Sequence, residues 1–225
     1  MSAEEVCDPR RSSREESIRA AKRNAEERQA YDIEIRRHLA QHLTATTVDV
    51  EVVERALEVL FAVAPPARLH GVIRTTISHD DPRVRSKAAL TVARCVADLP
   101  LLQRLLSDTD ARVRANTLEA LWHLRSPEVE SVFLRSLNDS HHRAIANATY
   151  GLYLIDEAKY FDKVTALTEH PLAGCRAAGA WLLGRIGNPK HLTMLKPLLL
   201  EKITGVRSAA FQALKVLRSP DAKSA

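Results

Sequence analysis

Cysteine is scarce in this chain: Cys7, Cys95 and Cys175 are odd in number, widely spaced and free of any CxxC pair. That excludes a disulfide framework or a zinc cluster and fits a reducing, cytoplasmic setting. Glycine is limited to 7 residues and aromatics to 4%, while alanine and leucine abound, a balance that favours helix over strand. No apolar run approaches the roughly 18 residues of a membrane span, and no hydrophobic stretch follows the charged N-terminus, so neither a span nor a signal peptide is expected. Catalytic signatures are missing as well. There is no Ser/His/Asp set, no glycine-rich phosphate loop and no paired-carboxylate signature. Charge of one sign is only slightly in excess, with 33 Lys+Arg against 28 Asp+Glu and a pI near 9.3. That permits nucleic-acid binding without requiring it.

What the chain does have is one phrase written five times. Val84-Arg85-Ser86-Lys87-Ala88-Ala89, Val113-Arg114-Ala115-Asn116-Thr117-Leu118, Ala144-Ile145-Ala146-Asn147-Ala148-Thr149, Cys175-Arg176-Ala177-Ala178-Gly179-Ala180 and Val206-Arg207-Ser208-Ala209-Ala210-Phe211 recur with periods of 29, 31, 31 and 31. A tandem repeat of this length is a supersecondary unit too small to bury its apolar face alone.

In the unit at 98–124, leucines 99, 101, 102, 105 and 106 recur at helical spacing until Ser107-Asp108-Thr109-Asp110 breaks the pattern. Asp110 is placed to cap a second helix, on which Val113, Thr117, Ala120, Leu121 and Leu124 share a face. Ser126-Pro127 stops it, since proline can begin a helix but not continue one. Asp81-Pro82 repeats this punctuation one unit earlier. Alanines at 88, 89, 115, 146, 148, 177, 180, 209, 210 and 213 mark close packing between second helices. A step of 32 upstream adds a degenerate sixth unit at Val52, Ala56, Leu57, Leu60 and Val63.

The expected fold is therefore all-α, an α-solenoid of about six helical hairpins. Second-position helices are expected near 49–63, 82–96, 111–124, 142–155, 174–186 and 204–217, and first-position helices near 66–78, 98–107, 127–138, 158–168 and 189–201. Residues 1–45 hold nine basic and nine acidic side chains, so the net charge of +5 lies in the array. Residues 10–43 read as one long charged helix with a thin apolar stripe. It is a cap for the array's open end or a pairing helix. The domain reading is thus 1–45 N-terminal helix, 46–218 repeat array and 219–225 disordered tail.

The pattern Asp-x-x-Val-Arg-x-x-Ala-Ala, present from Asp81 to Ala89 and echoed at Asp110-Ala111-Arg112-Val113-Arg114, resembles the HEAT repeat. The ending Ala180-Trp181-Leu182-Leu183-Gly184-Arg185-Ile186-Gly187-Asn188-Pro189 is similar to the short bacterial type named from phycobilin lyases. The resemblance covers about residues 49–217. It implies an Asp-Arg ladder along the turns, here Asp81/Arg85 and Asp110/Arg114, broken in the C-terminal half where Ile145 replaces arginine and Arg176 and Arg207 lack a matching Asp. It also implies that second helices line a concave, partner-binding side.

On such a face three rows follow in register: Arg55, Lys87, Asn116, Asn147, Ala178, Ala209; then Glu58, Leu90, Glu119, Tyr150, Trp181, Gln212; then Phe61, Ala93, Trp122, Tyr153, Gly184, Lys215, with Arg94, His123 and Arg185 adjacent. Trp122, Tyr150, Tyr153 and Trp181 gather in the third to fifth units and are the expected affinity centre, since aromatics and Arg dominate interface hot spots. Arg94, Asn116, Glu119, His123, Asn147 and Arg185 are expected to orient the partner. The opposing possibility is that both tryptophans fill gaps between helices.

The expected function is a noncatalytic scaffold for a protein partner, with no cofactor and no metal. His38 and His42 stand i, i+4 without a third ligand nearby in sequence. Metal-dependent hydroxylases of this architecture imply His-Glu dipeptides, and none occurs. Two other readings stay open: a nucleic-acid-binding protein similar to HEAT-like DNA glycosylases, with Glu119 beside stacking tryptophans, and a lyase-like or chaperone role.

Overall fold

The computed structural model describes residues 9–43, 49–63, 70–95 and 99–218. They form twelve α-helices and two short 3-10 turns, with no strand among the described residues. The tail expected at 219–225 and the boundary expected at 45/46 lie outside them. The chain divides into two compact units, Met1–Asp80 and Asp81–Ala225.

In the first unit, α1 (Pro9–Leu43) is a helix of 35 residues, on the order of 52 Å long at 1.5 Å per residue. It packs on α2 (Val50–Val63), and among the described side chains Leu39 of α1 with Val53 and Leu57 of α2 are the pair's buried apolar residues. Asp49 caps α2, its Oδ1 accepting from the N–H groups of Glu51 and Val52 at 3.0 and 3.3 Å. The third helix, α3 (His70–Ile77), buries Ile73, Thr76 and Ile77. Thr76 satisfies its hydroxyl inside the helix, donating to the carbonyl of Val72 at 2.9 Å.

The second unit runs α4 (Pro82–Cys95), α5 (Leu99–Leu106), α6 (Ala111–Ala120), α7 (Pro127–Ser136), α8 (His142–Ile155), α9 (Glu157–Thr168), α10 (Ala173–Ile186), α11 (Leu192–Leu199) and α12 (Thr204–Arg218). Even-numbered helices stack on one another in the order α4, α6, α8, α10, α12, and each of α5, α7, α9 and α11 folds back onto the even helix that follows it. These are stacked helical hairpins. The punctuation works as the residues require: Asp81 accepts from the Arg83 N–H at 2.8 Å, Asp110 from Arg112 at 2.8 Å, and Ser126 from Val129 at 3.3 Å ahead of Pro127. One difference is local. The second helix of the unit at 98–124 does not stay α-helical to 124, because it tightens into a 3-10 turn at Leu121–His123 before Leu124 becomes extended.

Small residues decide how close the helices come. A Cβ on Gly179 would lie 2.8 Å from the Thr168 backbone nitrogen, and one on Gly184 would lie 2.9 Å from the Ala213 Cα. Gly187 ends α10 with φ at 73°, a left-handed conformation that costs glycine little. Cys175 is buried and fills the position taken by Val in sister units, and burial pushes its thiol pKa up.

The arginine ladder departs from the expectation. Asp81 and Asp110 pair with the arginines two residues on, Arg83 at 2.6 Å and Arg112 at 2.8 Å. Arg85 and Arg114 instead reach the acid of the following turn: Arg85 forks onto Asp108 at 2.7 and 2.9 Å, and Arg114 onto Asp139 at 2.7 and 2.8 Å. The ladder also continues into the C-terminal half, where Glu201 supplies the acid and accepts from Arg176 Nε at 2.6 Å. Register explains the change, since stacking brings each helix start beside the next hairpin's turn, 23 to 25 residues along.

Candidate partner-binding site

The expected rows divide sharply once the helices are stacked. An even-numbered helix inside the array touches even helices on both sides and an odd helix as well, so its buried arc is wide and only a narrow strip meets solvent. Asn116 and Asn147, expected to orient a partner, are 5% and 2% exposed. Their amides tie neighbouring helices together. Asn116 Nδ2 donates to the Ser86 carbonyl and hydroxyl at 3.1 and 2.7 Å, and Asn147 Nδ2 donates to the Ala115 carbonyl at 2.7 Å. A buried amide that finds such partners is structural.

Trp122 is likewise taken from the surface: it is 8% exposed and its indole N–H donates to the Asn147 carbonyl at 2.9 Å. Its ring meets Tyr150 edge-to-face at 4.7 Å, and Tyr150 stacks on Tyr153 at 6.3 Å. The exposed Arg185 guanidinium lies 5.6 Å from the Trp122 ring and 5.8 Å from Tyr150. Phe161 and His191 extend the cluster outward. The Tyr153 phenol is held well above its ordinary pKa, first by burial and then by its hydrogen bond to Glu157. These four expected residues, Trp122, Tyr150, Tyr153 and Arg185, do come together, as a packed cluster whose exposed member is the arginine.

Trp181 is different: it is 42% exposed. It walls a hollow of about 390 Å³ between α8 and α10, floored by Ala146, Ala177, Ala178 and Gly174 and rimmed by Glu119, His142 and Arg143. The hollow exists because the row that carries Asn116 and Asn147 turns to Ala178 on α10. There the helix offers methyl groups in place of an amide. Arg143 is fixed at the rim, donating to Asn116 Oδ1 at 2.8 Å with Glu119 3.8 Å away. Burial, followed by the charge of His141, lowers the His142 pKa, so its imidazole is neutral at neutral pH. Of the expected residues, Glu119, Asn147 and Trp181 line this hollow. His123 is exposed, and no described contact joins it to either group. The side chain of Arg94 lies outside the described residues. His142, Arg143, Ala146, Gly174, Ala177 and Ala178 also line it and were not among the expected partner-binding residues. The signal available for them was the change from Asn to Ala along one row.

An apolar hollow with a tryptophan wall and a fixed ion pair at its rim can accept an apolar side chain of a partner while hydrogen-bonding its backbone. Among the described residues there is no group of three His, Cys, Asp or Glu positioned to hold a metal ion. His38 and His42 meet edge-on at 4.5 Å. No described helix is long and apolar enough to cross a membrane.

Residues 99–178 match the family model of HEAT repeats. The match spans the stretch from α5 into α10, which carries most of the hollow. No curated protein matches the chain. Among solved structures, the chain is similar to an engineered protein, with 18% identity, 80% of this chain and 95% of that chain covered and a TM-score of 0.37. It is also similar to a designed armadillo repeat protein in complex with the peptide (KR)4, with 14% identity, 80% and 98% covered and a TM-score of 0.41. A third is human deoxyhypusine hydroxylase in complex with glycerol, with 18% identity, 80% and 72% covered and a TM-score of 0.38.

Proposed function

We propose that the array at 81–218 is a noncatalytic protein-binding module, and that a partner segment docks along α6, α8 and α10 with an apolar side chain in the hollow beside Trp181. The observation that carries this reading is the exposure of Trp181 over an alanine floor. A large aromatic left half in water at the edge of a hollow of about 390 Å³ gains buried area only when something else covers it. Arg185, the Glu119–Arg143 pair and the exposed His123 that follows α6 orient the segment. Trp122, Tyr150 and Tyr153 stiffen the helices beneath it.

Arginine pairing supports a protein over a nucleic acid. Arg83, Arg85, Arg112, Arg114 and Arg176 are each bonded to a carboxylate of the same unit. A groove that tracks phosphates needs cations it can offer.

The test is peptide-display selection on the whole protein, followed by titration of recovered peptides against wild type and Trp181→Ala. The expected loss is about 2 kcal/mol, roughly 30-fold in Kd, with unchanged melting temperature. Equal affinity for a folded Trp181→Ala variant overturns the assignment.

A further inference from the structure

Five turns of the array start an even helix in one way. The N-cap carbonyl accepts from two successive N–H groups: Asp81 from Val84 and Arg85, Asp110 from Val113 and Arg114, His141 from Ala144 and Ile145, Leu172 from Cys175 and Arg176, Ile203 from Val206 and Arg207. At the turns of Asp110, Leu172 and Ile203 an arginine then folds back over the turn. Its Nη1 donates to the carbonyls six and five residues before it: Asp108 and Thr109 for Arg114 at 2.9 and 3.2 Å, His170 and Pro171 for Arg176 at 2.8 and 2.8 Å, Glu201 and Lys202 for Arg207 at 2.7 and 2.7 Å. Each array turn is thus a built seat for a guanidinium.

The turn before α8 keeps the seat and lacks the occupant. Residue 145 is isoleucine, and among the described residues none donates to the Asp139 or Ser140 carbonyl, the pair that an arginine here would hold. The acid of the next turn is gone as well. His170 stands in its place, and its Nδ1 accepts from the Leu172 N–H at 3.1 Å, as Asp139 Oδ1 does from His141 at 2.8 Å. What remains is a cavity of about 460 Å³ lined by Leu137, Asp139, Ser140, Ile145, His170 and Cys175, with exposed Leu172 at its edge. His142 and Gly174 line both this cavity and the hollow beside Trp181, so the two are adjoining.

We infer that the cavity at the missing rung is a binding site for an arginine side chain of the partner, whose guanidinium takes the carbonyls of Asp139 and Ser140 as Arg114, Arg176 and Arg207 take theirs. The Asp139 carboxylate beside those carbonyls supplies negative charge, shared with Arg114. Leu137, Ile145 and Leu172 supply an apolar channel for the aliphatic stem. Arginine suits the seat better than lysine because its planar fork reaches two carbonyls with fixed geometry. The inference rests on the proposed protein-binding role and specifies the partner: a segment with an arginine a short step from its apolar anchor.

The test uses the isotope-labelled full chain and N-acetyl-L-arginine amide, with the lysine and leucine analogues as controls, read by amide shifts at Ser140, His141, Ile145 and Leu172. Saturable shifts are expected with the arginine probe, and about fivefold weaker binding with lysine. Ile145→Arg fills the seat from within and is expected to abolish them, whereas Ile145→Ala, which shortens the apolar channel but leaves both carbonyls open, weakens binding without abolishing it. Leu172→Trp narrows the mouth from an exposed position and gives the same reading should Ile145→Arg fail to fold. Absence of saturable shifts up to about 50 mM, or binding that survives both Ile145→Arg and Leu172→Trp, overturns the inference. Failure of the groove reading would show in the Trp181→Ala titration alone and leave these shifts unchanged.

Discussion

A single arginine does three jobs in this array. Arg114 closes the turn before its own helix, neutralises Asp139 on the next turn and fixes the spacing between them. Both partners are largely shielded from water, with side-chain exposures of 15% and 12%, so removing one strands the other. Arg114→Ala is expected to cost about 2 kcal/mol, measured by urea denaturation with an unchanged slope. The same contacts set an acid limit. Hydrogen bonds from Arg85 and Arg114 hold the carboxyls of Asp108 and Asp139 below the ordinary carboxylate value, and Arg112 draws Asp110 down to about 2. A depressed carboxyl stabilises the fold above its unfolded pKa, and that contribution is lost as pH falls through the folded value. His142 and His191 act in the other half of the scale, since burial lowers their pKa from 6.5 and the unfolded chain takes up the proton first. Melting temperature is therefore expected to decline gently below about pH 6.5 and steeply below about pH 4, with the steep part reduced in Asp139→Asn.

At the scale of the element, helices were legible and their faces were not. Capping and proline stops at Asp81-Pro82, Asp110 and Ser126-Pro127 depend on neighbours in sequence, so they place helix starts to within a residue or two. Which side of a helix is covered depends on elements 30 residues away. Asn116 and Asn147 sit between apolar positions in the heptad sense, yet lie beneath the adjoining even helix and carry its cross-link. The ladder was misassigned for the same reason: one motif shows an Asp and an Arg four apart, whereas the pairing is set by the offset between stacked turns. Trp181 and Arg185, both on α10, are exposed where they were placed, and Glu119 on α6 is half-buried. The glycines of α10 express that crowding directly. Gly179→Ala puts a methyl against the backbone of Thr168 and is expected to cost about 1–3 kcal/mol by thermal or urea unfolding.

At the scale of the whole molecule, the even helices carry the stack: α12 buries Val206, Ala210, Ala213 and Leu217 against it and exposes Ser208, Gln212, Lys215 and Arg218 together with Phe211 and Val216. The loss of a ladder rung at Ile145 and of an amide at Ala178 falls between the same two hairpins, where it opens adjoining cavities. The proposed partner site falls where these two departures from the repeat coincide. With the proposed recognition centred on an aromatic wall, raising salt from about 50 to 200 mM is expected to change peptide affinity far less than the steep loss seen for phosphate-driven binding.

The most direct measurement of this account is fluorine NMR of the full chain labelled with 5-fluorotryptophan, titrated with a selected peptide. The two resonances are assigned with Trp181→Phe. The Trp181 resonance is expected to shift saturably at the calorimetric Kd while Trp122, packed against Arg185 and Tyr150, moves little. Peptide that binds by calorimetry while the Trp181 resonance stays in place would contradict it.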